Sequence, residues 1–165
     1  MKNEMEMSFD AISENEGFAR VAVSAFLVQL NPTLEEMADI KTAVSEAVTN
    51  AIIHGYENYH GYGKEQDIFP NNQPHPGKVK LRCVLDGDEL HIEISDEGKG
   101  IENISRAMEP LFTTKPELER SGMGFAFMEA FMDKVEVESI PGEGTIVKMK
   151  KTTGDSNQIW NTRSL

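Results

Sequence analysis

One stretch of the sequence decides the fold, and it reads KVKLRCVLDGDELHIEISD over residues 78–96. Apolar residues alternate with mostly charged ones along both of its halves, at Val79, Leu81, Cys83, Leu85, Leu90, Ile92 and Ile94. Residues 86–88, Asp-Gly-Asp, have the chemistry of a hairpin turn. Because alternation places every second side chain on one face, the stretch predicts an antiparallel hairpin with one buried face. Asp96 continues the buried row, where an unpaired carboxylate is costly, so a partner group is predicted for it.

Two helices are predicted before this hairpin. Each begins at a predicted capping box, formed by Ser13 with Glu16 and by Thr33 with Glu36. The first helix is expected to bury one apolar stripe, made of Phe18, Val21, Ala22, Ala25, Phe26 and Leu30. The second helix is expected to run from about residue 34 to about residue 54 and to stop at Gly55.

After the hairpin, the patterns predict one more helix and one more hairpin. The helix covers roughly residues 125–133, and strands follow at residues 135–139 and 145–150 around a Pro-Gly turn. The order helix, helix, hairpin, helix, hairpin predicts an α+β fold. It is a two-layer sandwich in which a mainly antiparallel sheet carries helices on one face.

Length, cysteine count and net charge exclude several classes of protein. The chain has 165 residues, one cysteine and a net charge of −12. It is expected to form one domain over residues 1–151, with a Gly- and Pro-rich loop at 57–77 and a flexible tail at 152–165. The negative charge argues against nucleic-acid binding, and no apolar run is long enough to span a membrane. One cysteine excludes an internal disulfide, and the lack of a secretory signal predicts a cytoplasmic protein.

Two motifs place polar side chains where a ligand site could form. Glu46, Asn50 and His54 recur every four residues and therefore share one side of the second helix. By itself such a stripe is either a solvated face or the wall of a site. Asp96 at the end of its buried row could accept a hydrogen bond from an amino group such as that of adenine. The glycines two and four residues later would let the backbone approach a ring closely.

A third motif, Ser121-Gly122-Met123-Gly124, lies directly before a predicted helix. Helix N-termini expose N–H groups and the positive end of the helix dipole, which suit phosphate oxygens. Lys115 and Arg120 lie just upstream and can add positive charge. A Gly-rich helix start that binds no phosphate would have the same kind of sequence. This motif therefore supports a phosphate site only in combination with the other two motifs.

Together and in this order, the motifs resemble the GHKL superfamily of ATP-binding proteins. Glu46-x-x-x-Asn50 is similar to its N box, Asp96-x-Gly98-x-Gly100 to its first glycine box, and residues 121–124 to its second. Gly142-x-Gly144-Thr145 is similar to the element beside the adenine. Within the superfamily, three segments resemble the anti-sigma F factors (stage II sporulation protein AB) of spore-forming bacteria. They are SEAVTNAIIHGY (45–56), DEGKGI (96–101) and PLFTTKPELERSGMGF (110–125).

The resemblance implies a protein-serine kinase that is also an anti-sigma factor. It implies ATP or ADP with Mg²⁺, a homodimer, and a sporulation sigma factor of the sigma F type as one partner. The phosphate acceptor is then a serine of an anti-anti-sigma protein, stage II sporulation protein AA. Asn50 becomes a magnesium ligand, and Glu46 is hypothesised to be the general base. The implied nucleotide-binding set is Asn50, Asp96, Gly98, Gly100, Thr114, Lys115, Arg120, Ser121, Gly122, Met123, Gly124 and Thr145.

Other features of the chain are less closely tied to the family pattern. The family usually joins the N-box helix to the next strand by a short turn, so residues 57–77 are an insertion here. Residues 101–122 are expected to form a lid over the nucleotide. Arg20 is the candidate partner contact, because an Arg on a helix face suits a partner carboxylate; an ordinary solvated Arg fits its position equally well.

Two alternative functions stay open. One is a nucleotide-gated sigma-binding module without phosphotransfer, which would need the same pocket as a kinase. The other is an ATPase in which Glu46 activates water. It is disfavoured because gyrase and chaperone ATPases carry large additional domains, whereas this chain ends soon after its last predicted strand.

Overall fold

The computed structural model describes residues 2–56, 77–110 and 123–154, and within these ranges it contains five β-strands and four α-helices. In chain order they are β1 (Lys2–Asp10), α1 (Glu14–Leu27), α2 (Leu34–Asn50), β2 (Lys78–Asp86), β3 (Glu89–Asp96), α3 (Ile104–Ala107), α4 (Gly124–Phe131), β4 (Lys134–Ile140) and β5 (Gly144–Thr152). A 3₁₀ turn (Val28–Leu30) follows α1, and a π-helical segment (Ala51–Tyr56) follows α2. The predicted α+β class is confirmed.

All strand pairs are antiparallel, and the sheet order is β1-β2-β3-β5-β4. The apolar rows predicted for β2 and β3 are buried beneath the helices; Leu81, Leu85 and Leu90 are each 0% exposed. The register places Asp96 opposite Thr145, at neighbouring ends of β3 and β5. The sheet and the helices that cover this face are the two layers of the predicted sandwich.

The N-terminal strand is absent from the predicted element order, which is therefore incomplete. β1 pairs with β2 along its whole length, from Lys2 opposite Asp86 to Asp10 opposite Lys78. Its sequence alternates as well, and the apolar row Met5, Met7 and Phe9 packs on the core. Alternation of this kind is a strand signal, so the sequence does contain the information for this fifth strand.

Helix α1 buries only part of the predicted stripe: Phe26 and Leu30 pack against the core, but the fully buried row is a neighbouring one. Ala19, Val23 and Leu27 are at most 1% exposed, whereas Phe18 is 55% and Val21 64% exposed. Apolar residues cover more than half of the circumference of α1, so hydrophobicity does not select between its two sides. Packing against α2 selects the side that is buried. The other side keeps an exposed apolar row, here named the outer stripe, made of Phe18, Val21, Ala25 and Val28.

One of the two predicted capping boxes forms. Thr33 Oγ1 accepts from Glu36 N at 3.1 Å, and Glu36 Oε2 accepts from Thr33 N at 2.7 Å. The box predicted at Ser13 is wrong, because this residue has helical backbone angles and its side chain makes no capping hydrogen bond. A capping residue needs an extended backbone. Glu16 instead accepts a hydrogen bond from the hydroxyl of Ser45 on α2.

The second helix continues as far as predicted but changes its geometry. It is α-helical to Asn50 and π-helical over Ala51–Tyr56. Gly55 therefore lies inside the helical segment and does not stop the helix at the predicted place. A π-helical turn holds more residues than an α-helical turn and frequently occurs at functional sites.

Residues 152–154, the last that the structure describes, belong to β5 or are hydrogen-bonded to the folded domain. β5 extends to Thr152, Thr153 N donates to Asp88 O at 2.9 Å, and Gly154 N donates to Glu36 Oε1 at 3.0 Å. The predicted flexible tail thus starts too early, and its remaining residues 155–165 lie outside the described part of the chain. So does the predicted loop, except for Gly77.

The outer face of the sheet carries ion pairs between neighbouring strands. Arg82 Nε lies 2.6 Å from Glu4 Oε1, and Lys148 Nζ lies 2.6 Å from Glu138 Oε1. Because these side chains are 40–60% exposed, each pair contributes only about 0–1 kcal/mol to stability. Among the residues that the structure describes, no helix is both long and apolar enough to cross a membrane.

Candidate functional site

A cleft lies between α2 with its π-helical extension and the ends of β3 and β5. Its lining residues are Ala47, Asn50, Ala51, His54, Gly55, Ile94, Asp96, Gly100, Ile101, Thr145 and Val147. Most of this lining is apolar, and a few side chains on two sides supply polar atoms. A small number of polar groups in an apolar lining is typical of a small-molecule binding site.

Asp96 is the buried carboxylate of the cleft, with 8% of its surface exposed. Gly98 N donates to its Oδ1 at 2.9 Å, and the backbone N–H of Thr145 also donates to the carboxylate. Burial nevertheless raises the pKa of Asp96 to about 6. Since a carboxylate has about four acceptor sites, Asp96 retains capacity for a donor in the cleft.

A hydroxyl network holds Thr145 beside Asp96. Ser139 Oγ donates to Gly144 O at 2.9 Å, accepts from Ile101 N at 2.8 Å, and lies 2.9 Å from Thr145 Oγ1. Since Ser139 has one hydroxyl proton, the Thr145 hydroxyl is the donor between them. The network joins β4, β5 and the start of the segment after β3, so it fixes one wall of the cleft.

The two glycines after Asp96 allow backbone segments to touch. A Cβ on Gly98 would lie 2.1 Å from Gly55 O, so no other residue fits there without movement. Gly100 has a φ of +71°, and a Cβ on it would lie 2.3 Å from Ile140 O. In the described structure, both glycines are close to neighbouring protein backbone.

Glu46 and Asn50 meet the N-terminus of α4 at one end of the cleft. A Cβ on Gly124 would lie 3.2 Å from Glu46 Oε2 and 3.3 Å from both polar atoms of the Asn50 side-chain amide. The small residue at position 124 therefore lets two polar side chains of α2 approach this helix end. Met123 O accepts from Phe127 N at 2.8 Å in the first turn of α4. The positive end of the helix dipole favours negative charge here.

The remaining predicted site residues are distributed as follows. Thr114, Lys115, Arg120, Ser121 and Gly122 lie outside the described residues, as does much of the predicted lid. His54, the last member of the predicted polar stripe of the second helix, lines the cleft. Arg20 lies on α1, away from the cleft lining, and its guanidinium is 3.6 Å from Glu16 Oε1.

The prediction missed the apolar side chains of the cleft lining and three residues whose hydrogen bonds or close contacts shape the site. Ser139 carries the hydroxyl network, and Gly55 and Tyr56 contact the segment that follows β3. Ser139 had a usable signal, because it follows Val135 and Val137 on one row of β4 as Asp96 follows an apolar row of β3. Gly55 and Tyr56 end the segment 45–56 that resembles the anti-sigma F factors, but no local pattern marks them as residues of the site.

The donor atoms present fit a magnesium ion that is shared with a nucleotide. Among the described residues, no group of three or more His, Cys, Asp or Glu side chains could hold a metal ion. Mg²⁺ in nucleotide sites takes one or two protein oxygens and completes its shell with phosphate and water. Asn50 supplies one oxygen of this kind beside the N-terminus of α4.

Comparison with known proteins places the chain among nucleotide-binding domains. A family model described as a histidine kinase-like ATPase domain matches residues 10–151. An anti-sigma F factor of Oceanobacillus iheyensis is 54% identical over 161 residues, which cover 98% of this chain and 100% of that protein. An anti-sigma F factor of Clostridium acetobutylicum is 55% identical over 151 residues, which cover 92% of this chain and 94% of that protein.

Two solved structures share the architecture. The RsbU and RsbW domains of Rv1364c from Mycobacterium tuberculosis match with a TM-score of 0.59 and 18% identity, over 92% of this chain and 32% of that chain. The catalytic domain of histidine kinase ThkA matches with a TM-score of 0.52 and 15% identity, over 90% of this chain and 96% of that chain. At these identities the likeness concerns the fold.

Proposed function

Since this chain belongs to the anti-sigma F factors, within the family of histidine kinase-like ATPase domains, we propose that it is an ATP-dependent protein-serine kinase and an anti-sigma factor. In this proposal it binds and inhibits a sporulation sigma factor of the sigma F type. It phosphorylates a serine of the anti-anti-sigma protein that opposes it. The observation that carries the proposal is the meeting of Glu46, Asn50 and the N-terminus of α4 at one end of the cleft that contains Asp96.

The Asp96 end of the cleft is the proposed adenine site. Asp96 would accept a hydrogen bond from the adenine amino group, and Thr145 lies beside it in the paired strands. Ile94 and Val147 line the same cleft and would contact the ring. A buried carboxylate selects its ligand, because a ligand without a donor leaves the remaining acceptor sites of that carboxylate unsatisfied.

The α4 end of the cleft is the proposed phosphate site. Asn50 would hold Mg²⁺ through its side-chain oxygen, and the backbone N–H groups at the start of α4 would face phosphate oxygens. When bound, the magnesium ion neutralises charge on the phosphates. The proposed phosphate contacts of Thr114, Lys115, Arg120, Ser121 and Gly122 fall outside the described residues.

Glu46 is the proposed general base. Its carboxylate would accept the proton of the serine hydroxyl while the serine oxygen bonds to the γ-phosphorus and the bond to the bridging oxygen breaks, so that ADP leaves. Phosphoryl transfer depends mostly on positioning and charge neutralisation, and one carboxylate that orients the nucleophile suffices. Its place one turn before Asn50 on α2 supports this role.

Arg20 and the outer stripe of α1 support the proposed partners. The Arg20 side chain is 42% exposed, and its i,i+4 pair with Glu16 at 3.6 Å is of a kind that contributes little. A carboxylate of the sigma factor could therefore compete with Glu16 for the guanidinium. The proposed homodimer is supported by the outer stripe, because exposed apolar side chains at helical spacing favour protein–protein contact.

One assay tests the proposal with four versions of the protein. Wild type, Glu46→Ala, Arg20→Glu and the control Glu35→Ala are each mixed with Mg-ATP and the anti-anti-sigma protein, and intact mass is followed. Wild type and the control, which changes an exposed carboxylate of the same helix, should add one phosphate to the partner. Glu46→Ala should transfer at least about 100-fold more slowly with ATP affinity retained. In two further measurements, a pull-down with the sigma factor and a calorimetric titration with ATP, Arg20→Glu should lose capture of the sigma factor and retain its ATP affinity.

Each other outcome points to a different function. Full-speed transfer by Glu46→Ala would remove this residue as the base. Tight ATP binding without transfer by wild type would identify a nucleotide-gated binder, and hydrolysis without transfer would identify an ATPase. If Arg20→Glu lost both ATP binding and sigma capture, the variant would be misfolded and a milder Arg20→Ala exchange would be needed to judge the contact.

A further inference from the structure

The π-helical segment and the turn after β3 are joined through their backbones. Lys99 N donates to Gly55 O at 2.9 Å. A Cβ on Gly98 would lie 2.1 Å from the same oxygen and 2.4 Å from the carbon that bears it. The two segments therefore approach as closely as backbones can, and neither can shift toward the other.

The phenol of Tyr56 makes a second connection between the same regions. Its oxygen accepts from Glu97 N at 2.7 Å and donates to the carbonyl oxygen of Lys78. The side chain is buried, with 7% exposed, and burial raises the pKa of Tyr56 to about 12. The phenol is therefore protonated at neutral pH and serves as donor and acceptor at once. It ties the residue after β3 to the first residue of β2.

Gly55 also sets the space available to the Asp96 side chain. A Cβ on Gly55 would lie 2.9 Å from Asp96 Oδ1 and 3.0 Å from its carboxyl carbon. Any side chain at position 55 would therefore press on the carboxylate itself. The same Asp96 Oδ1 atom accepts a hydrogen bond from Gly98 N. Gly98 in turn lies against the backbone of Gly55.

We propose that Gly55 and Tyr56 are positioning residues that hold the Asp96 carboxylate where it recognises the 6-amino group of adenine. They act through the backbone of residues 97–99 and through the space that Gly55 leaves open. Because they continue the helix that carries Glu46 and Asn50, they also fix the Asp96 turn relative to the phosphate end of the cleft. The inference rests on the proposed ATP site and adds the residues that set its base selectivity.

The test compares two nucleotides that differ by one amino group. ATP and purine riboside triphosphate, which lacks the 6-amino group, are titrated into wild type, Gly55→Ala, Tyr56→Phe and Gly17→Ala, and the ratio of the two affinities is taken. Gly17 is the matched control, because a Cβ on it would meet nothing within 4 Å. Circular dichroism and thermal unfolding of each variant report whether the fold is retained.

We expect wild type and Gly17→Ala to bind ATP about tenfold or more tightly than the analogue. Gly55→Ala should weaken ATP binding by about tenfold and analogue binding by less than about threefold, so that the ratio approaches one. Tyr56→Phe should change the ratio in the same direction by about three- to fivefold, because Glu97 N and Lys78 O lose their partner.

Several results would overturn the inference. If folded Gly55→Ala and Tyr56→Phe weaken both nucleotides equally, or leave the ratio unchanged, the two residues have only a structural role. Should Gly55→Ala not fold, Tyr56→Phe still decides, because it keeps the ring in the core and removes one oxygen. If the wild-type protein did not bind ATP, the proposed function itself would be refuted. The wild-type titration is done first, so this outcome is recognised before any variant is measured.

Discussion

The Asp96 carboxylate ends the apolar row of β3, and its surroundings favour its protonated form. Burial raises its pKa from 3.8 to about 6. For an acid whose pKa is higher in the folded than in the unfolded chain, the stabilising contribution is complete below the unfolded pKa. It is lost as the pH rises through the folded pKa, here about 6. At pH 7 the protein without nucleotide therefore holds a buried charge that a ligand donor would stabilise.

We expect Asp96→Asn to stabilise the nucleotide-free protein and to weaken ATP binding. Its free energy of unfolding at pH 7 should rise by about 1–3 kcal/mol, because the buried charge is removed. This gain should shrink as the pH falls from about 6 to about 4, where Asp96 itself is protonated. ATP affinity should fall by about tenfold or more, because an ionised acceptor is lost.

Urea unfolding between pH 4 and pH 8 and calorimetric titration with ATP measure the two effects of Asp96→Asn. The control is Asp86→Asn, which changes an exposed carboxylate at the end of β2. The control should leave both quantities within experimental error of wild type. A pH-independent stability change in Asp96→Asn, together with unchanged ATP affinity, would contradict the assigned role.

At the scale of elements, helix α2 carries Glu46 and Asn50 and is held differently at its two ends. At its start, the capping box joins Thr33 and Glu36, and Glu36 also accepts from Gly154 N. At its end, the π-helical segment Ala51–Tyr56 is connected to the turn after β3. The orientation of the two site residues therefore depends on contacts at both ends of the helix.

Thr33→Ala is expected to lower the free energy of unfolding by about 1 kcal/mol, since it removes a side-chain cap from α2. Ser13→Ala is the matched control at the start of α1, where the hydroxyl makes no capping hydrogen bond. That control should change stability by no more than about 0.5 kcal/mol. Urea unfolding of both variants makes the comparison, and equal losses would show that the two serine/threonine positions do not differ as described.

At the scale of the whole molecule, one thiol reports on opening of the core. Cys83 is the single cysteine of the chain, lies on the inner row of β2 and is 0% exposed. Burial raises the pKa of its thiol to about 12. Thiol reagents attack the thiolate, so labelling of Cys83 requires an opening that exposes the centre of the sheet.

Labelling of Cys83 is therefore expected to be slow in the native protein and to become slower with nucleotide. At a nucleotide concentration 100 times its Kd, labelling limited by an opening that releases the ligand should slow by about 100-fold. Mass spectrometry after timed labelling, with a fully unfolded sample as reference, gives the rates. Labelling at the unfolded rate, or a rate that ATP leaves unchanged, would show that Cys83 is reached without opening of the nucleotide-binding fold.

Most of the sheet could be predicted because strand alternation directly reports which side chains avoid water. The hairpin of β2 and β3 illustrates this, and even the overlooked β1 has the pattern. The buried side of α1 could be predicted only in part, because apolar residues occupy both of its sides and only the position of α2 distinguishes them. The capping box predicted at Ser13 does not form, because its sequence motif does not by itself give the capping residue an extended backbone.

The residues of the candidate site, too, could be predicted from the sequence only in part. The types and order of the polar residues sufficed to single out Glu46, Asn50 and Asp96 as one set, because ligand chemistry depends on functional groups that the sequence contains. Tyr56 could not be identified, since its partners are backbone groups 22 and 41 residues away.

The sequence by itself thus determined the antiparallel sheet, the family and the polar groups of the candidate site. Only the tertiary structure decided which face of α1 is buried, how the helix after Asn50 changes its winding, and which backbone holds Asp96 in place. The physical reason is that local periodicity records the preference of each side chain for water or core. The approach of two distant backbones depends instead on the packing of all the elements between them.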